Sequence, residues 1–182
     1  EAPRRAGRLE IGFARGPGGE SYLGHQYAAY PFHICRARRV EGDPPGMATL
    51  YLQSVSGGVY GGDRLETELV MDAGAQAHVT TQASTVVHGM VVGEATQGVR
   101  IEAGPGALLE FMPDPLILFP HAKLETKLRI LCDPSATVLI ADAFMFHDPR
   151  ETGAPFGILD STLEVVEIGG ALLARDRFRL DG

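Results

Sequence analysis

One outline recurs four times along this chain from Leu69 onward: "LVMDAGAQAHV", "VRIEAGPGALLEF", "LRILCDPSATVLI" and "LEVVEIGGALLAR". In each, strand-like residues close on an acidic or small residue, a Gly/Pro turn follows, and a small residue opens a second strand. The turn markers Gly74, Gly104, Pro134 and Gly169 lie 30, 30 and 35 residues apart. A quasi-period of this length is the signature of a stacked repeat. A two-stranded unit is marginal alone in water and must bury its apolar side against its neighbours. The expected fold is therefore all-β: stacked β-hairpins forming a flattened β-helix-like domain with few or no helices. A two-sheet sandwich is the alternative.

The local pattern supports strands. Thr67–Met71 and Ala75–Thr80 alternate apolar and polar residues around a turn at Asp72–Gly74, and Val99–Glu102 and Ala107–Phe111 flank a second turn. With 23 glycines and 12 prolines, the punctuation is too frequent for long helices. The first 50 residues are less regular. Arg8–Ala14 and Tyr27–Ile34 read as strands, and Val40–Met47, with its Pro44-Pro45 pair, reads as a surface loop. Residues 147–157 form a second loop. Nothing resembles a linker, so residues 1–182 read as one domain.

Composition excludes several functions. The net charge is −7, which argues against a broad nucleic-acid footprint. Arg36, Arg38 and Arg39 are locally basic, either as a solvated strand face or as a partner contact. The apolar runs are far too short to span a bilayer as helices, and a cytoplasmic protein is expected. Cys35 and Cys132 form neither a disulfide framework nor a CxxC zinc site, so buried free thiols are expected. No GxSxG elbow and no nucleophile–base pairing is present, so no catalytic residues are assigned.

The glycine-rich stretch before the first repeat sets four glycines, Gly57, Gly58, Gly61 and Gly62, ahead of Asp63 and Arg64. A phosphate loop needs GxxxxGK[ST], and Asp63 in its place would repel phosphate. A dinucleotide fingerprint needs a following helix, but the sequence continues as a strand. The expected role is a structural corner where backbones pass closely, with Asp63 accepting N–H bonds and Arg64 pairing with Asp63 or another carboxylate. The same corner is a candidate partner surface.

The blocks "SGGVYGGDRLETELVMDAGAQAHVTTQAST" and "LLEFMPDPLILFPHAKLETKLRI", followed by "LDSTLEVVEIGGALLARDRF", resemble the urease accessory protein D family (UreD/UreH). The resemblance runs over about residues 8–180. The chain departs from the family's GR…GE element, showing Asp148-Pro149-Arg150-Glu151-Thr152-Gly153 instead. The family pattern also continues past residue 182, implying a C-terminally shortened member or a fragment. The resemblance implies a non-catalytic, β-helical scaffold that binds F-type and G-type accessory proteins and apo-urease and assists nickel delivery, with no tightly bound cofactor and Ni²⁺ as a transient cargo.

Nickel takes imidazole, carboxylate and water ligands. The candidates are His78, His88, His121 and His147 with Asp63, Glu110, Asp114, Asp142 and Asp148. Among these, Glu110, Asp142, His78 and Asp63 are the chosen route residues. Glu110 and Asp142 each sit in or beside an apolar strand. A carboxylate facing a core is costly unless paired or wetted. If both face inward, they mark a water-filled passage to which Thr80, Thr81 and Ser84 add hydroxyls. If they face outward, ordinary alternation accounts for them, as a surface or satisfied core role does for each histidine. A competing reading is a β-solenoid or sandwich module binding a carbohydrate or a protein, although only 7% of residues are aromatic and none is tryptophan.

Overall fold

The computed structural model describes residues 5–182. They form fifteen strands and no helix: β1 (Ala6–Arg15), β2 (Ser21–Ala28), β3 (Phe32–Ile34), β4 (Ala48–Ser54), β5 (Arg64–Met71), β6 (Gln76–Thr81), β7 (Thr85–Val87), β8 (Ala95–Ala103), β9 (Leu108–Phe111), β10 (Leu116–Leu118), β11 (Lys123–Cys132), β12 (Thr137–Ile140), β13 (Phe144–Phe146), β14 (Ile158–Glu167) and β15 (Leu172–Asp181). The all-β, β-helix-like expectation holds.

The strands make three sheets. A long sheet runs β15-β14-β11-β8-β5-β1-β2, a five-stranded sheet runs β12-β9-β6-β4-β3, and a short sheet runs β13-β10-β7. Each full coil contributes one strand to each sheet in turn: β5-β6-β7, then β8-β9-β10, then β11-β12-β13. Equivalent strands of successive coils pair in parallel. The repeat is therefore a three-sided solenoid.

This refines the stacking unit. The two strands flanking each turn from Asp72 to Ser135 do not pair with each other. The turn is a corner that carries the chain from the long sheet to the five-stranded sheet, so each strand bonds to its equivalent one coil away. Corners stack too: Gly74 donates its N–H to Pro105 C=O at 2.8 Å, and Gly104 to Met71 C=O at 2.9 Å. True antiparallel hairpins close the ends, as β1–β2 and β14–β15.

The observed register also corrects the spacing. Met71 pairs with Ala103, Ala103 with Cys132, and Cys132 with Glu167, so the steps are 32, 29 and 35. The coils differ because their return loops differ in length, with residues 147–157 the longest. The expected strand Tyr27–Ile34 is likewise two strands, β2 and β3, separated by a turn at Pro31, whose nitrogen has no hydrogen to donate to a ladder. Val40–Met47 and residues 147–157 are loops, as expected.

Inward rows decide where the core lies. On the long sheet, Leu69, Ile101 and Ile130 stand in one row, with Met71 and Ala103 in the next. They pack against Leu50, Ala77, Val79 and Leu109 of the five-stranded sheet. A second cluster, including Val59, Val87, Leu118, Leu124 and Leu159, lies under the short sheet. Burying each large aliphatic side chain contributes roughly 1.5–3 kcal/mol, so these rows dominate folding. The cysteines are free and half-buried rather than fully buried. Desolvation, reinforced by Glu167 and Asp133, raises the Cys132 thiol above its ordinary pKa.

Candidate functional site: a glycine corner and an interior cavity

Between the two apolar clusters the inward rows of the long sheet turn polar. Leu65, Gln97, Thr126 and Ser161 stand side by side on β5, β8, β11 and β14. Next to this row the interior opens into a cavity of about 430 Å³. Thr67, Gln97, Thr126 and Ser161 line it from the long sheet, and Thr81, Ser84, Asp114 and Asp142 from the opposite corner. The cause is local. Three polar side chains occupy positions where the neighbouring rows carry Ile, Leu and Val, and buried polar groups need partners or water.

Asp142 follows β12 where the chain bends into β13. One side of the residue is open to solvent, while its carboxylate lies against the cavity wall, where Ser161 Oγ donates to Oδ2 at 3.4 Å. Desolvation raises its pKa above the ordinary Asp value, the Ser161 hydrogen bond opposes that shift, and Asp176 adds to it. At the equivalent bends of the preceding coils Thr81 Oγ1 donates to Asp114 Oδ2 at 3.2 Å, and Asp114 N–H donates back to Thr81 Oγ1 at 2.8 Å.

The glycine stretch borders the same cavity through Gly57 and Gly58. Val59 bridges Val87 as an added rung of the short sheet, donating its N–H to Val86 C=O at 2.8 Å and accepting from His88 N–H at 2.9 Å. Gly58 makes this approach possible. Its φ is +132°, and a Cβ there would lie 2.3 Å from Val86 O. Gly62, at φ +86°, completes the turn into β5.

Asp63 pins the corner. It is 1% exposed and accepts the Tyr60 N–H at 2.9 Å. Its charge partner is Arg5, which donates Nε–H to Oδ1 at 2.7 Å and Nη2–H to Oδ2. That is a two-pronged, charge-assisted contact, and the Asp63 hydrogen bond raises the Arg5 pKa. The expectation that Arg64 would pair with Asp63 is corrected: Arg64 begins β5 with its side chain exposed and makes no ion pair among the described residues. Arg5 also lies over the Tyr60 ring, 4.7 Å from its centroid.

The other candidates are dispersed. Glu110 and His78 do not reach the cavity. Each lies between two buried apolar neighbours, so alternation turns them to the outer face of the five-stranded sheet, where His78 Nδ1 and Glu110 Oε2 meet at 2.8 Å. Thr80 faces outward as well and donates Oγ1–H to Met112 C=O at 2.7 Å. Asp63 is committed to Arg5. His88 stacks on Tyr60 with ring centroids 4.3 Å apart and contacts Gly57 O through Nε2 at 2.9 Å. Phe119 separates it from His147. His121 sits in a turn at φ +64°. Asp148 accepts bonds from Thr152 and Gly153 in its own loop. Among the described residues no three His, Cys, Asp or Glu side chains converge on one point.

Of the residues chosen from sequence, the structure brings Gly57, Gly58, Thr81, Ser84 and Asp142 to the cavity. Sequence reasoning missed Gln97, Thr126 and Ser161. A signal exists: each stands six residues before the last paired residue of its strand's corner, namely Ala103, Cys132 and Glu167. Reading it requires the register between coils. Arg5 carries no comparable signal, because its partner lies 58 positions away.

The sequence matches known proteins over nearly its whole length. Residues 5–182 match the family model described as UreD urease accessory protein. The relatives include urease accessory protein UreD 1 of Methylorubrum extorquens (strain PA1), 45% identical over 170 residues, covering 93% of this chain and 58% of the relative. UreD 1 of Pseudomonas syringae pv. syringae (strain B728a) is 41% identical over 172 residues, covering 94% of this chain and 60% of the relative. UreD 3 of Bradyrhizobium sp. (strain ORS 278) is 39% identical over 166 residues, covering 91% and 59%. The chain thus spans about three fifths of the length of these curated relatives. With its whole described length matched by the family model, this chain belongs to the UreD urease accessory protein family.

Proposed function

We propose that this protein is a non-catalytic scaffold for urease maturation in the cytoplasm, holding F-type and G-type accessory proteins against apo-urease and passing Ni²⁺ through its interior cavity. The carrying observation is the cavity wall. Asp142 and Asp114 stand on one side and the Thr126 and Ser161 hydroxyls on the other, inside a body otherwise packed with aliphatic side chains. Carboxylate and hydroxyl oxygens are weak, exchangeable ligands for a borderline divalent ion, as a cargo in transit requires. His78 and Glu110, paired on the outer face, lie off this route.

The solenoid suits a platform. Parallel ladders fix each coil to the next, and the Asp63–Arg5 contact ties the glycine corner to the chain before β1. The experiment is co-expression with urease and the remaining accessory proteins, comparing the parent with Asp142→Ala. The expected result is urease with reduced nickel content, while the variant keeps its circular dichroism and its association with the F-type partner. Normal nickel content in urease matured with Asp142→Ala would reject the route. Failure of the parent itself to associate with the F-type protein or apo-urease would reject the scaffold.

A further inference from the structure

The first edges of the long and five-stranded sheets face one another at the start of the solenoid, and neither the cavity nor the glycine corner uses them. β2 pairs with β1 on one side only. Among the described residues, its backbone bonds elsewhere just once, from Ser21 N–H to Gly46 C=O at 2.8 Å. Among the described residues the outer edge is bare from Tyr22 to Tyr27. Across from it, β3 continues into Cys35–Arg39, which bridges β4 through Arg38 and Thr49. A groove of about 660 Å³ lies between, with Leu23, Ala37 and Ala48 among its lining residues. That volume falls within the range of specific binding pockets.

Arg36, Arg38 and Arg39 also line this groove. On the outer face of the long sheet most arginines are laced to carboxylates, as in Arg8–Glu10 and Arg175–Glu164, with Arg64 lacking such a partner among the described residues. Arg39 reaches Glu20 at 3.4 Å. Arg36 and Arg38 are exposed and have no such partner among the described residues. In a chain of net charge −7, Arg36 and Arg38 place two guanidinium groups without carboxylate partners two residues apart. Edge strands are usually blunted by lysine, proline or a bulge. β2 carries neither lysine nor proline, and its one irregularity is the bulge at Gly24, where its register with β1 shifts. It presents Tyr22 and Tyr27 instead, 52% and 50% exposed, and tyrosine is a common interface anchor.

We infer that this groove docks an extended acidic peptide segment of a partner protein, which adds as a strand to the free edge of β2 and places carboxylates on Arg36 and Arg38. The bare edge supplies main-chain hydrogen bonds without regard to sequence. The planar guanidinium forks select carboxylates. The negative remainder of the surface repels an extended polyanion, which favours a short acidic segment over nucleic acid.

The test is fluorescence anisotropy on the purified protein with a labelled peptide of alternating Glu and Val. Comparison ligands are its Gln/Val counterpart, its alternately N-methylated form and oligothymidine. The Glu/Val peptide should bind at least about tenfold more tightly than each of the others. The double variant Arg36→Glu/Arg38→Glu should lose at least about tenfold at unchanged circular dichroism, and Arg36→Gln/Arg38→Gln serves if the reversal misfolds. Bound peptide should also slow alkylation of Cys35, which lines the groove. Equal binding of Glu/Val and Gln/Val peptides would overturn the inference. So would full affinity after N-methylation or in the arginine variants, tighter binding of oligothymidine, unaltered Cys35 alkylation, or no binding.

Discussion

Replacing Asp63 by alanine tests whether the glycine corner is held by one buried ion pair. The variant removes both acceptors of the Arg5 guanidinium and the acceptor of the Tyr60 N–H. Breaking a buried pair by deleting one partner costs about 3–5 kcal/mol, because the remaining charge is stranded. The Arg5 side chain keeps 21% of its exposure and can recover some hydration, so the lower end, about 3 kcal/mol, applies. For a chain of this size that is a fall in Tm of roughly 6–12 °C. Arg5→Ala should cost a similar amount by stranding the Asp63 carboxylate, which is 2% exposed at its side chain. The double variant should cost much less than the sum, so a double-mutant cycle should show strong coupling. Differential scanning calorimetry with matched chemical denaturation reads all three. A loss below about 1 kcal/mol in Asp63→Ala, or simple additivity in the cycle, would refute the reasoning.

Gly58→Ala should destabilise by about 3 kcal/mol, since it combines a strained backbone with a Cβ driven into Val86 O, whereas Gly57→Ala meets only the Tyr60 hydroxyl and should cost under about 1 kcal/mol. Thermal melts separate the two, and equal losses would contradict the close-approach account. Asp142 binds its proton more tightly in the folded state than in the unfolded chain, so ionising it destabilises the fold above its raised pKa. Asp142→Asn should therefore melt higher than the parent near pH 7, with the gap closing as pH falls to about 3.9 and below. A gap that persists at low pH would refute the assignment. Glu110→Gln, on the outer face, should cost at most about 1 kcal/mol and leave the nickel content of urease unchanged, in contrast to Asp142→Ala.

How far the sequence reached follows from what each signal depends on. Alternation with period two and regularly spaced turns are properties of neighbouring residues, so strands such as β5, β6, β8 and β9 were legible, as was the stacked all-β architecture. The glycine cluster announced a close backbone passage, because only a residue without Cβ adopts φ +132° against Val86 O. What the sequence left undecided is whatever depends on which face meets which coil. Glu110 and Asp142 look alike locally, each a carboxylate among apolar residues. Strand alternation turns the first outward to His78, while the bend between β12 and β13 turns the second toward Ser161. The choice of Arg5 over Arg64 as the partner of Asp63 is likewise tertiary, because 58 residues of chain must fold before that pair can meet. The polar row Gln97–Thr126–Ser161 exists only once parallel register aligns three coils, and that alignment opens the cavity.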